Sequence, residues 1–152
     1  GVIPSFFNLH TYYWSDLHFN KVLGPERTAK ISALKTAQSL GMAFTLHADT
    51  PVTPMEPMRI IWSAVTRKSS GGHVYGPDER IDVLSALKAI TINAARQYFR
   101  DDSLGSISVG KLADFVILEE NPLVVDADHL KDIQVSGTLV GGKTIYMADI
   151  QD

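Results

Sequence analysis

The segment GPERTAKISALKTAQSLGMAFTLHADTP, residues 24 to 51, constrains the fold more than any other part of the chain. Ile31, Leu34 and Ala37 recur at helical spacing, Pro25 suits a first helical turn, and Gly41 stands where a residue closes a helix. The apolar run MAFTLHA follows at once and reads as a buried strand. Helix, glycine and strand packed this tightly are the rhythm of α/β units with parallel strands. The expected fold class is therefore α/β.

Other segments fit around that unit. Val2 to Leu9 is apolar and aromatic, with Pro4 arguing against a central place in a strand ladder. HTYYWSDLHF, from residue 10, reads as a polar-aromatic loop. Pro51, Pro54 and Pro57 make TPVTPMEP a loop, and MRIIWSAVTRKS reads as a helix ending before the glycine-rich SSGGHVYGPDE. Asp82 is placed to cap a longer helix over VLSALKAITINAARQYFR, with Leu87, Ile90, Ala94 and Tyr98 along one stripe. From about residue 103 the chain becomes β-rich, and VSGTLVGGKTIYM is two runs divided by Gly141-Gly142, a hairpin signal. Two segments are expected: an alternating α/β part over 1–102 and a small β part over 103–152.

Composition removes several function classes. The net charge is −3 with no basic run, so nucleic acid is not an expected partner. No apolar run reaches membrane-spanning length, and the first residues, GVIPSFFNLH, carry no basic n-region of a signal peptide. No membrane partner is expected, and the compartment stays open, with the cytoplasm favoured over others. There is no cysteine, hence no disulfide and no thiolate ligand or nucleophile. No Gly-x-Ser-x-Gly elbow supports serine hydrolysis either.

The chemistry-bearing residues cluster near two strand ends. Side chains alternate along a strand, so Thr45, His47 and Asp49 share one face of FTLHADTPV. At the C-terminal end of a barrel strand such a carboxylate can ligate a metal or take a proton from an activated water. The plainer reading makes Asp49 a cap for the following loop and His47 a satisfied core histidine. One histidine and one aspartate fall short of the three protein ligands a catalytic zinc normally takes. LHTYYWSDLH gathers His10, Tyr12, Tyr13, Trp14, Asp16 and His18, residues suited to a substrate pocket or to an aromatic lid. Arg59 and Arg67 fall on the helix after the proline loop, with Arg67 placed to bind an anionic group if it lies at the site mouth. His73 and His129 are expected in solvent. GSISVGKL mimics a phosphate loop, but Leu112 stands where Ser or Thr must bind magnesium and a strand follows in place of a helix.

Three stretches in order, IPSFFNLHTYYWSD, FTLHADTPVTP and GSISVGKLADFVILEENPL, resemble the C-terminal portion of the metal-dependent amidohydrolase superfamily. The likeness is to its amidohydrolase-3, or YtcJ-like, branch, which includes N-substituted formamide deformylases. TINAA at 91 to 95 and VGGKTIY at 140 to 146 fit the same pattern. The resemblance implies the last part of a (β/α)8 barrel, residues 1 to 10 being its seventh strand and 42 to 49 its eighth. It also implies part of a small β-sandwich that both chain ends build. By the same resemblance Asp49 is metal ligand and general base, and His10 and Trp14 lie at the substrate; Arg67, from its place on the helix, is expected to join them. The implied activity is hydrolysis of a non-peptide carbon–nitrogen bond, in a small amide or cyclic amide, by metal-activated water.

The chain departs from the superfamily pattern in having no His-x-His pair and no room for the middle-strand ligands. A whole barrel takes about 250 residues, so the resemblance implies roughly the last quarter of one. The expectations follow directly: a divalent metal, zinc, in the parent protein, none retained by this chain, and no activity from this chain alone. Exposed sheet edges imply self-association. The alternative reading is a non-catalytic regulatory or interaction module, since some relatives have been named as regulators of exoenzyme production.

Overall fold

The computed structural model describes residues 1–149, so the last three residues of the expected second segment lie outside the described residues. Strand β1 (Ser5–Phe6) leads directly into helix α1 (Leu9–Leu17), which opens into a π-helical turn over His18–Val22. Helices α2 (Gly24–Ala29) and α3 (Leu34–Ser39) precede strand β2 (Thr45–Leu46), and helix α4 (Pro57–Thr66) follows the proline loop. A 3₁₀ turn at Pro77–Glu79 leads to helices α5 (Val83–Ile90) and α6 (Ile92–Gln97). Strands β3 (Phe115–Leu118), β4 (Val135–Val140) and β5 (Lys143–Met147) then form an antiparallel sheet, with a 3₁₀ segment at Ala127–Asp132 between β3 and β4.

The α/β expectation holds at its central point. β1 and β2 pair in parallel, Ser5 with Thr45 and Phe6 with Leu46. Thr45 N–H donates to Pro4 O at 2.9 Å and His47 N–H to Phe6 O at 3.1 Å. Helices α5 and α6 pack on β2, and α4 packs on α1 and α5, through a core of Leu9, Leu34, Phe44, Leu46, Ile60, Ile61, Trp62, Ala86, Ala89 and Leu130. Asn8, buried at the end of β1, fixes that layer: its Nδ2 donates to Ile60 O at 2.7 Å and its own carbonyl accepts from Ser63 Oγ at 3.1 Å. Removing a fully buried side chain such as Leu9 or Ile61 costs about 2–5 kcal/mol at sites of this kind.

Three local expectations need correction. HTYYWSDLHF is largely helical, not a loop. Its buried face is Leu9, Thr11 and Ser15, so small hydroxyls stand where an apolar stripe would have signalled a helix. The stretch from Gly24 to Gly41 is two helices: the chain breaks at Lys30–Ala33, where Ser32 adopts φ 49°. The carbonyls freed there are taken up by Arg67, which donates to Ile31 O at 2.7 Å and Ser32 O at 3.0 Å. The helix after Asp82 likewise breaks at Thr91, whose hydroxyl back-bonds to Leu87 O at 2.7 Å. Beyond the break, Asn93 Nδ2 donates to Phe44 O and Gln97 Nε2 to Ile3 O, so α6 is tied to the strand pair.

Other local readings stand. Asp82 caps α5, accepting from Ser85 N–H at 2.9 Å, and Pro57 occupies the first turn of α4. Gly41 closes α3 at φ 68°, with Met42 N–H returning to Ala37 O at 3.1 Å. The Gly141-Gly142 hairpin joins β4 to β5. Among the described residues no helix is long and apolar enough to cross a membrane.

Gly76 adopts φ 61°, and a Cβ there would stand 2.0 Å from Ala29 O. Gly76→Ala is expected to destabilise the chain by about 2 kcal/mol or more, through both the left-handed backbone and the backbone clash. Gly110→Ala, at φ 93° with open space around it, is expected to lose only about 1 kcal/mol. Equal losses in urea melts of the two variants would contradict this packing.

Candidate active site

The parallel pairing brings the two expected clusters to one end of the strands. After β1 come Phe7, His10, Trp14 and His18; after β2 come His47 and Asp49. Phe7 is the hub. Its ring lies 5.8 Å from that of His10, stacked at 1°, 5.9 Å from Trp14 and 5.6 Å from His47. His10 also meets Trp14 at 5.8 Å and His18 at 4.6 Å. Burial, and then the neighbouring His18, hold His10 below the usual histidine range. The neutral form of His10, which can both accept and donate a hydrogen bond, is thereby favoured.

Asp49 lies exposed in the turn that follows β2, at φ 56°. Short polar residues tolerate this left-handed conformation. The turn is pinned on both sides: Val52 N–H donates to Asp49 O at 2.8 Å, and the buried Thr53 hydroxyl donates to Ala48 O. The turn is closed by main chain and Thr53, leaving Asp49 outside the core.

Arg67, expected at the substrate pocket, is placed elsewhere. It is 1% exposed, ends α4 at φ 54°, and its guanidinium donates to Tyr75 O at 2.7 Å besides Ile31 O and Ser32 O. Burial lowers its pKa to about 10, with Glu79 opposing the shift and Arg80 adding to it. This is a framework role. Nearby, the buried Glu79 carboxylate accepts from Thr36 N–H at 2.9 Å, Thr36 Oγ1 at 2.6 Å and Lys30 Nζ at 3.0 Å. These bonds outweigh the upward push of burial and lower its pKa. No local sequence signal marks Glu79, because its partners lie in the first turn of α3 and the break before it.

Asp16 gathers a second polar cluster at the far end of α1. Its Oδ1 accepts from Tyr75 OH and meets His73 Nδ1, both at 2.9 Å, and its Oδ2 accepts from Gly71 N–H at 3.3 Å. Burial pushes its pKa up, but hydrogen bonds from Ser69, Tyr75, His73 and Gly71 prevail and pull it down to about 2. His73 and His129 are exposed as expected, though each is paired, the latter with Glu120 at 2.7 Å. Lys111 of the phosphate-loop mimic donates inward to the carbonyls of Asp101 and Leu104, and strand β3 follows. Arg59 pairs with Glu56 and lies 5.4 Å over the Tyr12 ring. Among the described residues, no three His, Asp or Glu side chains are grouped to hold a metal ion. Among the described residues, Asp49 belongs to no such three-residue group.

The amidohydrolase family model matches residues 1–146, and the chain belongs to that family. Within it the likeness is to the YtcJ-like branch. The chain is 33% identical to the putative amidohydrolase YtcJ of Bacillus subtilis, over 82% of its own length and 24% of that protein. It is 44% identical to the protein LONG AFTER FAR-RED 3 of Arabidopsis thaliana, over 83% of the chain and 22% of the relative. The N-substituted formamide deformylase of Arthrobacter pascens is 32% identical, over 77% and 22%. An uncharacterized metal-dependent hydrolase from Pyrococcus horikoshii OT3 superposes at TM-score 0.67 and 25% identity, covering 84% of this chain and 26% of that structure. The chain thus spans about a quarter of the length of the relatives it matches.

The Asp16 cluster carries a pH signature. Its folded pKa lies below the unfolded value of about 3.9, so its contribution is complete above that pH and is lost as pH falls toward 2. Wild type is expected to melt above Asp16→Asn at pH 6, with the gap closing between pH 4 and pH 2. A gap that stays constant with pH would contradict the cluster.

Proposed function

We propose that the protein carrying this chain hydrolyses a non-peptide carbon–nitrogen bond in a small amide-type substrate, with Asp49 as its proton-handling carboxylate. The observation that supports this most is the position of Asp49: exposed, beyond the C-terminal end of a parallel strand, in a turn pinned from both sides. C-terminal strand ends are where barrel enzymes build their chemistry. The parallel β1–β2 pair is consistent with the last two strands of such a barrel, and β3–β5 with part of a composite β-sandwich.

In this reading an Asp49 carboxylate oxygen accepts a proton from the attacking water and returns it to the leaving nitrogen. His10 and Trp14 shape the substrate pocket, with Phe7 stacked against the His10 ring. The divalent ion of the family, zinc in this proposal, supplies Lewis-acid polarisation when bound. Asp49 fits such an ion as one carboxylate donor, and the other ligands come from outside this chain. The N-substituted formamide and YtcJ relatives support an amide-type substrate. The 152-residue chain alone is inactive in this reading.

Self-association follows from the same geometry. β5 is exposed along its whole length, and the β1–β2 sheet has only two strands among the described residues. Unpaired edges of this kind template further pairing. Sedimentation velocity is expected to show a concentration-dependent dimer of this chain; a monomer at every concentration would contradict that.

In the whole protein, Asp49→Asn is expected to lower turnover of a formamide or cyclic amide by about 10²–10⁴-fold while circular dichroism stays unchanged. The isolated chain should show no turnover on the same substrates. Turnover by the isolated chain that disappears in Asp49→Ala would overturn the proposal.

A further inference from the structure

His10 and His18 stand eight positions apart, which in an unbroken helix is about 12 Å of rise. Their rings nonetheless lie 4.6 Å apart at 79°. The helical ladder opens where His18 stands: its N–H is shared between Trp14 O and Ser15 O, and a π-helical turn runs from His18 to Val22. Such turns recur at functional sites. The Nδ1 atom of His18 is buried and has no hydrogen-bond partner among the described residues. Buried polar atoms are seldom left in that state.

We propose that His10 and His18 form a two-imidazole site for a divalent transition-metal ion, copper(II) or nickel(II), separate from the role assigned to Asp49. The ring separation suits such an ion. An imidazole nitrogen binds such an ion at about 2.0–2.1 Å, which puts the ion about 3.2 Å from each ring centre. Two centres 4.6 Å apart then subtend about 90° at a shared ion, given a turn of each ring about its own side-chain bond. A right angle is the cis angle of square-planar and octahedral ions, whereas zinc in protein sites prefers tetrahedral angles. Ligand histidines must be neutral, and burial together with the His18 neighbour favours the neutral form of His10. With no third side-chain donor grouped there among the described residues, waters complete the coordination. The site is accordingly weaker than one with three protein ligands.

The test is equilibrium dialysis of the 152-residue chain against nickel chloride and, separately, copper chloride. Saturation at one ion per chain is expected, with affinity at least tenfold lower in His10→Gln and in His18→Gln and unchanged in His129→Ala. Binding should weaken from pH 7.5 to pH 5.5 as the imidazoles take protons. On wild type, the copper(II) paramagnetic resonance spectrum should show two coupled nitrogens, a readout independent of whether a variant folds. Absence of saturable binding, or fewer than two coupled nitrogens, would overturn the proposal. So would binding that survives both histidine variants, or that is lost in Asp49→Asn or His73→Ala instead. The last two outcomes leave the His10–His18 site refuted without touching the hydrolase reading, which the activity of Asp49→Asn tests by itself.

Discussion

Two main-chain hydrogen bonds, Thr45 N–H to Pro4 O and His47 N–H to Phe6 O, hold together everything of functional interest in this chain. They join segments forty residues apart into a parallel pair and so bring the end of β1 beside the end of β2. Phe7 can then touch both His10 and His47, and Asp49 follows at the same end of the strands. A short pair of strands does not sustain such a pairing by itself. Asn8 secures one side by bonding to α4, while Asn93, Gln97 and Thr45 secure the other by bonding α6 to the strands.

The buried ionic knot at the opposite end of α4 plays the complementary part. Arg67 satisfies three carbonyls at once, two of them released by the break between α2 and α3. Glu79 caps the start of α3 from a distant loop, receiving Thr36 N–H and its hydroxyl. Buried charges are costly unless every donor and acceptor is placed, and here both groups meet main chain or hydroxyl partners. The knot sets where α3 begins, and α3 in turn leads into β2. Fold and site are coupled through α3, not through direct contact between Arg67 and the rim.

What the sequence made legible was local. The Asp82 cap, Pro57 in a first turn, the Gly41 closure and the Gly141-Gly142 hairpin all depend on residues within a few positions of each other, and each is present. Strand alternation set His47 and Asp49 together in the sequence, whereas only the family resemblance set His10 and Trp14 beside them. What stayed hidden depended on distant partners. Helix α1 hides its nature by burying Thr11 and Ser15 in place of apolar residues. The break at Ser32 has no glycine or proline to announce it, because Arg67 supplies the compensating bonds from thirty-five positions away. Arg67 itself looked like a helix-surface or anion-binding residue, since nothing near it in the chain reveals that it is buried. His18 drew attention only as one of several polar residues; its proximity to His10 becomes visible with the turn that follows α1.

The central claim is that Asp49 is one donor of a zinc site whose other ligands lie outside this chain. Elemental mass spectrometry of the purified chain tests it most directly, after dialysis against zinc and then against metal-free buffer. The account requires that no zinc be retained. Near-stoichiometric zinc, lost on Asp49→Ala, would mean that this chain builds a complete site by itself, and would contradict the account.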